Sequence, residues 1–169
     1  ADGRIRPLDT GAYSYEDLTW NESGDALAAL RGTTPEEKTL RENMLVVVSA
    51  THGDRPMTTT YDPTGDPAFP NGFVLSELAN TRWTDDGARV VLGIKLQEDE
   101  IEEDEEDERA NVDVWHWADD RIQSTQMVQA EADGRYTYTS VYNVEDENFV
   151  RLADDDMRRV EITGGLWAI

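Results

Sequence analysis

Cysteine is absent from the 169 residues, lysine occurs only at Lys38 and Lys95, and histidine only at His52 and His116. Without cysteine there are no disulfides and no thiol nucleophile. No stretch approaches the roughly 18 consecutive apolar residues of a membrane-spanning helix, so no membrane partner is expected. No secretory signal pattern opens the chain, which leaves the compartment open. The shortage of lysine belongs to a wider imbalance: 37 acidic residues face 15 basic ones, a net charge of -22. That field repels a phosphate backbone and excludes nucleic acid as a partner. Arginine retained while lysine nearly vanishes is the pattern of a salt-adapted protein, whose carboxylates hold water while dissolved salt screens their repulsion.

What is present is repetition. Trp20-Asn21-Glu22-Ser23-Gly24-Asp25 precedes the apolar run Ala26 to Leu30, and Trp83-Thr84-Asp85-Asp86-Gly87 precedes Val90 to Ile94. A weaker third copy, Ala132-Asp133-Gly134-Arg135 before Tyr136 to Val141, keeps the Asp-Gly turn and lacks the Trp. Glycines at such intervals are what successive blades of a β-propeller give when loops separate some strands. The fold class expected is therefore all-β, a propeller segment of about three blades with approximate bounds 1–50, 51–111 and 112–169. Blades of roughly 40 to 60 residues leave no room for a closed ring in this length. The opening Ala1 to Leu8 reads as a strand in mid-domain and the chain stops at Leu166-Trp167-Ala168-Ile169 without a polar tail, so a piece of a longer domain is expected.

Between these landmarks, Ala26 to Leu30 and Met44 to Val48 are near-continuous apolar runs that fit strands covered on both faces. Thr34 as cap, Pro35 in the first turn and Glu37 three residues after the cap predict one short helix from Pro35 to about Glu42. Arg55 to Tyr61 has β-branched content suited to a strand, and Asp62 to Gly72, rich in proline and glycine, reads as loop. Residues 98–109 hold ten acidic residues and one arginine and are expected to form a mobile acidic loop. Tyr136 to Val144 alternates with period two, and Phe149 to Leu152 is expected to pair with Val160 to Thr163 around the Asp154-Asp155-Asp156 turn.

Residues for chemistry are few. The serines at 14, 23, 49, 76, 124 and 140 include none in a Gly-x-Ser-x-Gly elbow. His52 lies in a turn-like Thr-His-Gly-Asp and His116 between Trp115 and Trp117, and structural roles are expected for both. Carboxylate runs at 98–108, Asp119-Asp120 and Asp154 to Asp156 lack the alternating spacing around a glycine that tight Ca²⁺ binding requires. Trp115 and Trp117 would share one strand face, suited either to stacking a sugar or peptide side chain or to locking neighbouring blades. No catalytic, metal or cofactor residue is assigned.

At these residues the chain resembles a known family. The two Trp turns resemble the Trp-Ser-Pro-Asp-Gly-Lys pattern of WD40-like repeats in TolB-type propellers and in the propellers of prolyl oligopeptidase-like serine peptidases. Val112-Asp113-Val114-Trp115-His116-Trp117-Ala118-Asp119, continued by Phe149 to Asp154, looks like a piece of large bacterial peptidases of the second kind. The resemblance covers nearly the whole chain, departing from it in the acidic insertion and in the missing turn prolines. It implies a non-catalytic propeller segment that scaffolds and gates peptide access to a C-terminal α/β-hydrolase domain, which would carry the Ser-Asp-His triad outside this chain. Its implied partners are that domain and the peptide substrate, and members of the family are often exported or periplasmic. The alternatives are a TolB-like propeller that binds proteins or ligands with no enzyme attached, and an acidic Ca²⁺-dependent adhesion module.

The charge reading yields a direct test. Raising NaCl from about 0.1 M to about 1 M shortens the screening length from about 10 Å to about 3 Å. The thermal midpoint, followed by circular dichroism, is expected to rise; a midpoint that stays level or falls contradicts salt adaptation.

Overall fold

The computed structural model describes residues 7–53, 55–100, 134–163 and 167–168. Within them the chain is almost entirely antiparallel β-sheet. β1 (Ser14–Trp20), β2 (Leu27–Thr33), β3 (Glu42–Ser49) and β4 (Met57–Tyr61) form a four-stranded meander. β5 (Phe73–Ser76) follows, and then β6 (Arg82–Trp83), β7 (Arg89–Leu96), β8 (Tyr138–Asn143) and β9 (Asn148–Arg151) form a second meander in the same order. β5 joins the two. It pairs with β7 from Phe73 to Ser76 and touches β3 through Leu75 opposite Asn43, so that one open nine-stranded sheet results. β10 (Ile162–Thr163) and β11 (Trp167–Ala168) form a separate two-stranded ribbon.

The apolar runs become the central strands, as their composition requires. Ala26 to Leu30 on and before β2, and Val46 to Val48 on β3, are all buried, so both faces of these strands are covered. Alternation divides their side chains. Ala28, Leu30, Leu45 and Val47 point into the main core, and Leu27, Val46 and Val48 pack on the other face with Leu8. The second meander answers with Val90, Leu92, Ile94, Tyr142 and Phe149 in the same main core. Aromatic rings close the junction: Tyr61 of β4 lies 4.8 Å from Tyr142 and 5.9 Å from Phe149, and Phe69 lies 4.9 Å from Phe149. Each fully buried side chain of this kind contributes about 1.5–3 kcal/mol.

Three sequence expectations are corrected. The helix expected over Pro35 to Glu42 is absent, because the backbone there pairs elsewhere. Glu37 adopts φ 66, Lys38 bridges to Asp99, Thr39 N donates to Glu98 O, and Glu100 N donates to Glu37 O. The one helical turn with a proline start is a 3-10 turn at Pro63–Gly65, capped by Asp62. The same bonds fix residues 98–100 of the acidic segment, where Lys38 forms an ion pair with Asp99; residues 101–109 lie outside the described residues.

The third repeat copy is not equivalent to the first two. Gly24 and Gly87 take φ 73 and 65 and precede the second strand of their meanders, whereas Gly134 lacks a positive φ and precedes β8, the third strand. Phe149 to Leu152 does not pair with Val160 to Thr163. β9 pairs with β8 and β10 with β11, because Tyr142 opposite Phe149 brings two aromatic side chains into the core.

Two strand glycines are fixed by crowding. A Cβ on Gly32 would collide with Glu42 O and lie 2.6 Å from Asn43 Oδ1, and one on Gly93 would collide with Ala79 Cβ and lie 2.7 Å from Thr137 Oγ1. Gly32→Ala and Gly93→Ala are each expected to cost about 1–3 kcal/mol in urea unfolding. Gly65→Ala, with nothing within 4 Å of its Cβ, is the control, expected to leave the midpoint in place.

Candidate functional site

The two Trp turns are built by one hydrogen-bond scheme with different side chains. In the first, Asn21 N donates to Ala26 O, Ala26 N donates to Asn21 Oδ1, and Gly24 N donates to Asn21 O. In the second, Thr84 N donates to Arg89 O, Arg89 N donates to Thr84 Oγ1, and Gly87 N donates to Thr84 O. The residue after each Trp thus closes the turn with main chain and side chain together. This role of Asn21 and Thr84 was missed from the sequence, although a side-chain acceptor directly after each Trp was its visible signal.

Carboxylates complete both turns. Asp25 Oδ1 accepts from Asn21 Nδ2 and Ser23 Oγ, each at 2.7 Å. Asp86 Oδ1 accepts from Thr84 Oγ1 and from Ala88 N, while its Oδ2 pairs with Arg89 at 3.1 Å. Hydrogen bonds from Asn21 and Ser23 hold Asp25 below the usual carboxylate value. The Thr84 hydroxyl, then the Ala88 N–H and the Arg89 charge, do the same for Asp86.

The turns also meet. Glu22, Asp25, Asp85 and Asp86 line one cleft, but no group of acidic or histidine residues among the described ones is arranged to hold a metal ion. Beside that cleft runs the seam between the meanders. A bulge between Glu16 and Thr19 interrupts the β1–β2 register, and Asp17 within it takes φ 52. Its Oδ2 accepts from both Thr81 N and Thr81 Oγ1 at 3.2 Å. Trp83 lies 8% exposed in the seam and donates its indole N–H to Thr19 O at 3.2 Å. Trp20, at the same position of the first repeat, is 49% exposed. Beside it on β1, Tyr15 and Leu18 are also exposed.

A second feature is a cavity of about 330 Å³ beneath the loop that joins β4 to β5. Tyr13, Glu42, Asn43, Asp62, Asp66, Phe69 and Phe73 are among the residues that line it. The loop is stitched down by Asp66, whose carboxylate accepts from Tyr61 Oη at 2.8 Å and from Ala68 N at 2.8 Å. Burial, and next the bond to Asp66, push the Tyr61 hydroxyl far above its ordinary value, so it stays a donor.

The residues weighed for chemistry are dispersed. Ser14 donates to Gly32 O, Ser23 to Asp25, and Ser76 accepts from Leu78 N. Ser140 is fully buried, Ser49 ends β3, and His52 is exposed in the turn after it. Among the described residues no serine hydroxyl bonds to an imidazole. Asp154 caps its own turn by accepting from Asp156 N and Met157 N, and Asp155 accepts from Tyr138 Oη. Trp115, His116, Trp117, Asp119, Asp120 and Ser124 lie outside the described residues. No family model, curated protein or solved structure matches the chain.

The depressed carboxylates set a pH dependence. Folded Asp25 and Asp86 are held below the ordinary aspartate value, so through the acid range the unfolded chain binds more protons. Their stabilisation is full above the unfolded value and is lost as pH falls through the folded one. Asp86→Asn keeps an acceptor oxygen but cannot titrate. Between about pH 6 and about pH 3 its urea midpoint is expected to fall less steeply than that of the parent chain, and parallel curves would contradict this role.

Proposed function

We propose that the chain is a non-catalytic segment of a β-propeller, acting as scaffold and gate for peptides that reach a hydrolase domain of the prolyl oligopeptidase type. The observation that carries the propeller reading is the unequal environment of two equivalent tryptophans. Trp83 closes the seam with the meander before it, while Trp20 presents the same indole with no meander to receive it. Two successive meanders of identical strand order, with their first strands β1 and β6 in contact, support reading them as neighbouring blades. A further meander against β1 would give Trp20 the carbonyl that Thr19 gives Trp83.

The peptidase part of the reading rests on the resemblance of Val112 to Asp119 and of Phe149 to Asp154 described above. Scaffolding rather than catalysis agrees with where the side chains are spent. Trp83, Asn21, Thr84, Asp86 and Asp17 all hold turns or the seam.

Two measurements test this. Trp83→Ala is expected to cost about 3–5 kcal/mol, the range for emptying a buried aromatic site, while Trp20→Ala changes stability by less than about 0.5 kcal/mol, as for a surface position. Equal costs would remove the distinction between the two seams. Extending the reading frame in both directions is expected to show further Trp–Gly turns and, downstream, a Gly-x-Ser-x-Gly with later Asp and His. Repeats without that elbow would replace the peptidase with a TolB-like binding propeller. Hydrolysis of chromogenic peptides by this chain alone, blocked by a serine-directed inhibitor, would overturn the scaffold reading.

A further inference from the structure

We propose that the cavity beneath the β4–β5 loop binds an organic cation, an ammonium or guanidinium group carried on an apolar stem. At about 330 Å³ it is at the small end of the range for ligand pockets and large enough for such a group with a few methylenes. Its lining pairs two chemistries. Phe69, Phe73 and the ring of Tyr13 give apolar walls, and Glu42, Asp62 and Asp66 give three carboxylates, with no lysine, arginine or histidine among the lining residues.

These carboxylates are not equally committed. Asp66 is engaged by Tyr61 and Ala68, and Asp62 uses Oδ1 to cap the 3-10 turn through Thr64 N and Oγ1. Asp62 Oδ2 and the Glu42 carboxylate have no hydrogen-bond or ion-pair partner among the described residues. Arg31 and Arg41 are engaged elsewhere, with Asp9 and Glu16, and Arg151 Nε donates to Ala153 O. Two wall rings already take cations: Arg31 Cζ lies 5.0 Å from the centre of Tyr13 and Arg151 Cζ 5.2 Å from that of Phe73.

An observation independent of the acidic lining points the same way. Asn43 lines the cavity at 2% exposure, and its Nδ2 donates to Leu75 O and Glu77 Oε2, but its Oδ1 is buried without a donor. Opposite it in the β2–β3 register stands Gly32, and a Cβ there would lie 2.6 Å from that oxygen. The site thus keeps an orphaned acceptor, and the lack of a Cβ at Gly32 is what gives that oxygen room. An N–H donor satisfies such an oxygen, and a buried acceptor left unpaired is costly. The net charge of -22 raises the local concentration of any cation. This inference does not depend on whether the sheet belongs to a propeller.

The test is a titration of the whole chain, labelled with ¹⁵N, against butylguanidinium and against butylurea, its neutral near-isostere. Butylguanidinium is expected to give saturable shifts of the Asn43 side-chain amide and of the Asn71 and Gly72 backbone amides, with butylurea at least about tenfold weaker, the loss of one charge-assisted contact. N-acetyl-arginine amide, run in parallel, distinguishes a peptide side chain from a free amine-type ligand by binding more tightly. Glu42→Gln combined with Asp62→Asn is expected to weaken the cation about tenfold or more, whereas Glu161→Gln, whose carboxylate pairs with Arg159 and is not among the lining residues, leaves it unchanged. Equal binding of butylurea overturns the proposal. So do shifts spread over the acidic surface without saturation, or an unaltered affinity in the double variant.

Discussion

Trp83 reaches from the end of β6 into the first meander and donates its indole N–H to a main-chain carbonyl of β1, and the placement of the second meander depends on that contact. Burying an indole is favourable for its large apolar surface but demands a partner for its one polar atom. Thr19 O on β1 is that partner, and the bulge just before it presents Asp17 to Thr81. Three bonds therefore fix the start of β6 against β1, and β6 in turn sets where β7 enters the sheet. With that register fixed, Val90, Leu92 and Ile94 fall on the core face and Tyr142 and Phe149 follow across β8 and β9. A slip of one residue would turn all of these outward.

Aspartates close turns locally in this chain, beside three ion pairs between distant residues, Asp9 with Arg31, Glu16 with Arg41 and Asp99 with Lys38. Asp25, Asp62, Asp66, Asp86 and Asp154 each accept main-chain N–H or side-chain donors within a few residues of themselves. A turn that needs an acceptor for its free N–H groups can be closed by aspartate as well as by asparagine or serine. High acidity is therefore compatible with tight turns, and four of these aspartates, Asp62, Asp66, Asp86 and Asp154, become part of the backbone's hydrogen bonding. With so few cations available, such bonds to N–H and O–H groups stand in for ion pairs that cannot be formed.

How far the fold was legible in the sequence depended on whether the deciding interactions were local. β2, β3 and β7 are continuous apolar runs, and both Trp–Gly turns are closed within their own few residues, so composition sufficed. The Pro35 segment has every local mark of a helix start and still forms none, because Gln97 to Glu100 bond to its backbone from more than fifty residues away. Gln97 even matches Leu40 with both ends of its amide, accepting from the N–H and donating to the carbonyl. The partner of β9 was misread for the same reason, since proximity in sequence to Val160 lost to the aromatic match of Tyr142 with Phe149. The cavity was not legible at all: its walls come from the segment before β1, the β2–β3 junction and the β4–β5 loop, and only the fold assembles them.

β1 shows how an edge strand is kept safe where no further strand pairs with it among the described residues. Its outer edge is unpaired in the sheet order, and Tyr15, Leu18 and Trp20 leave it apolar, a combination that invites pairing with another chain. Two features oppose this. The bulge breaks the run of free N–H and C=O groups that a foreign strand would need, and the net charge of -22 repels other copies of so acidic a chain. The bulge that blunts this edge is also the one that aims Asp17 at Thr81. One irregularity in β1 therefore serves both the seam that is filled and the edge that is open, so Asp17 is tied to its position by two separate physical requirements.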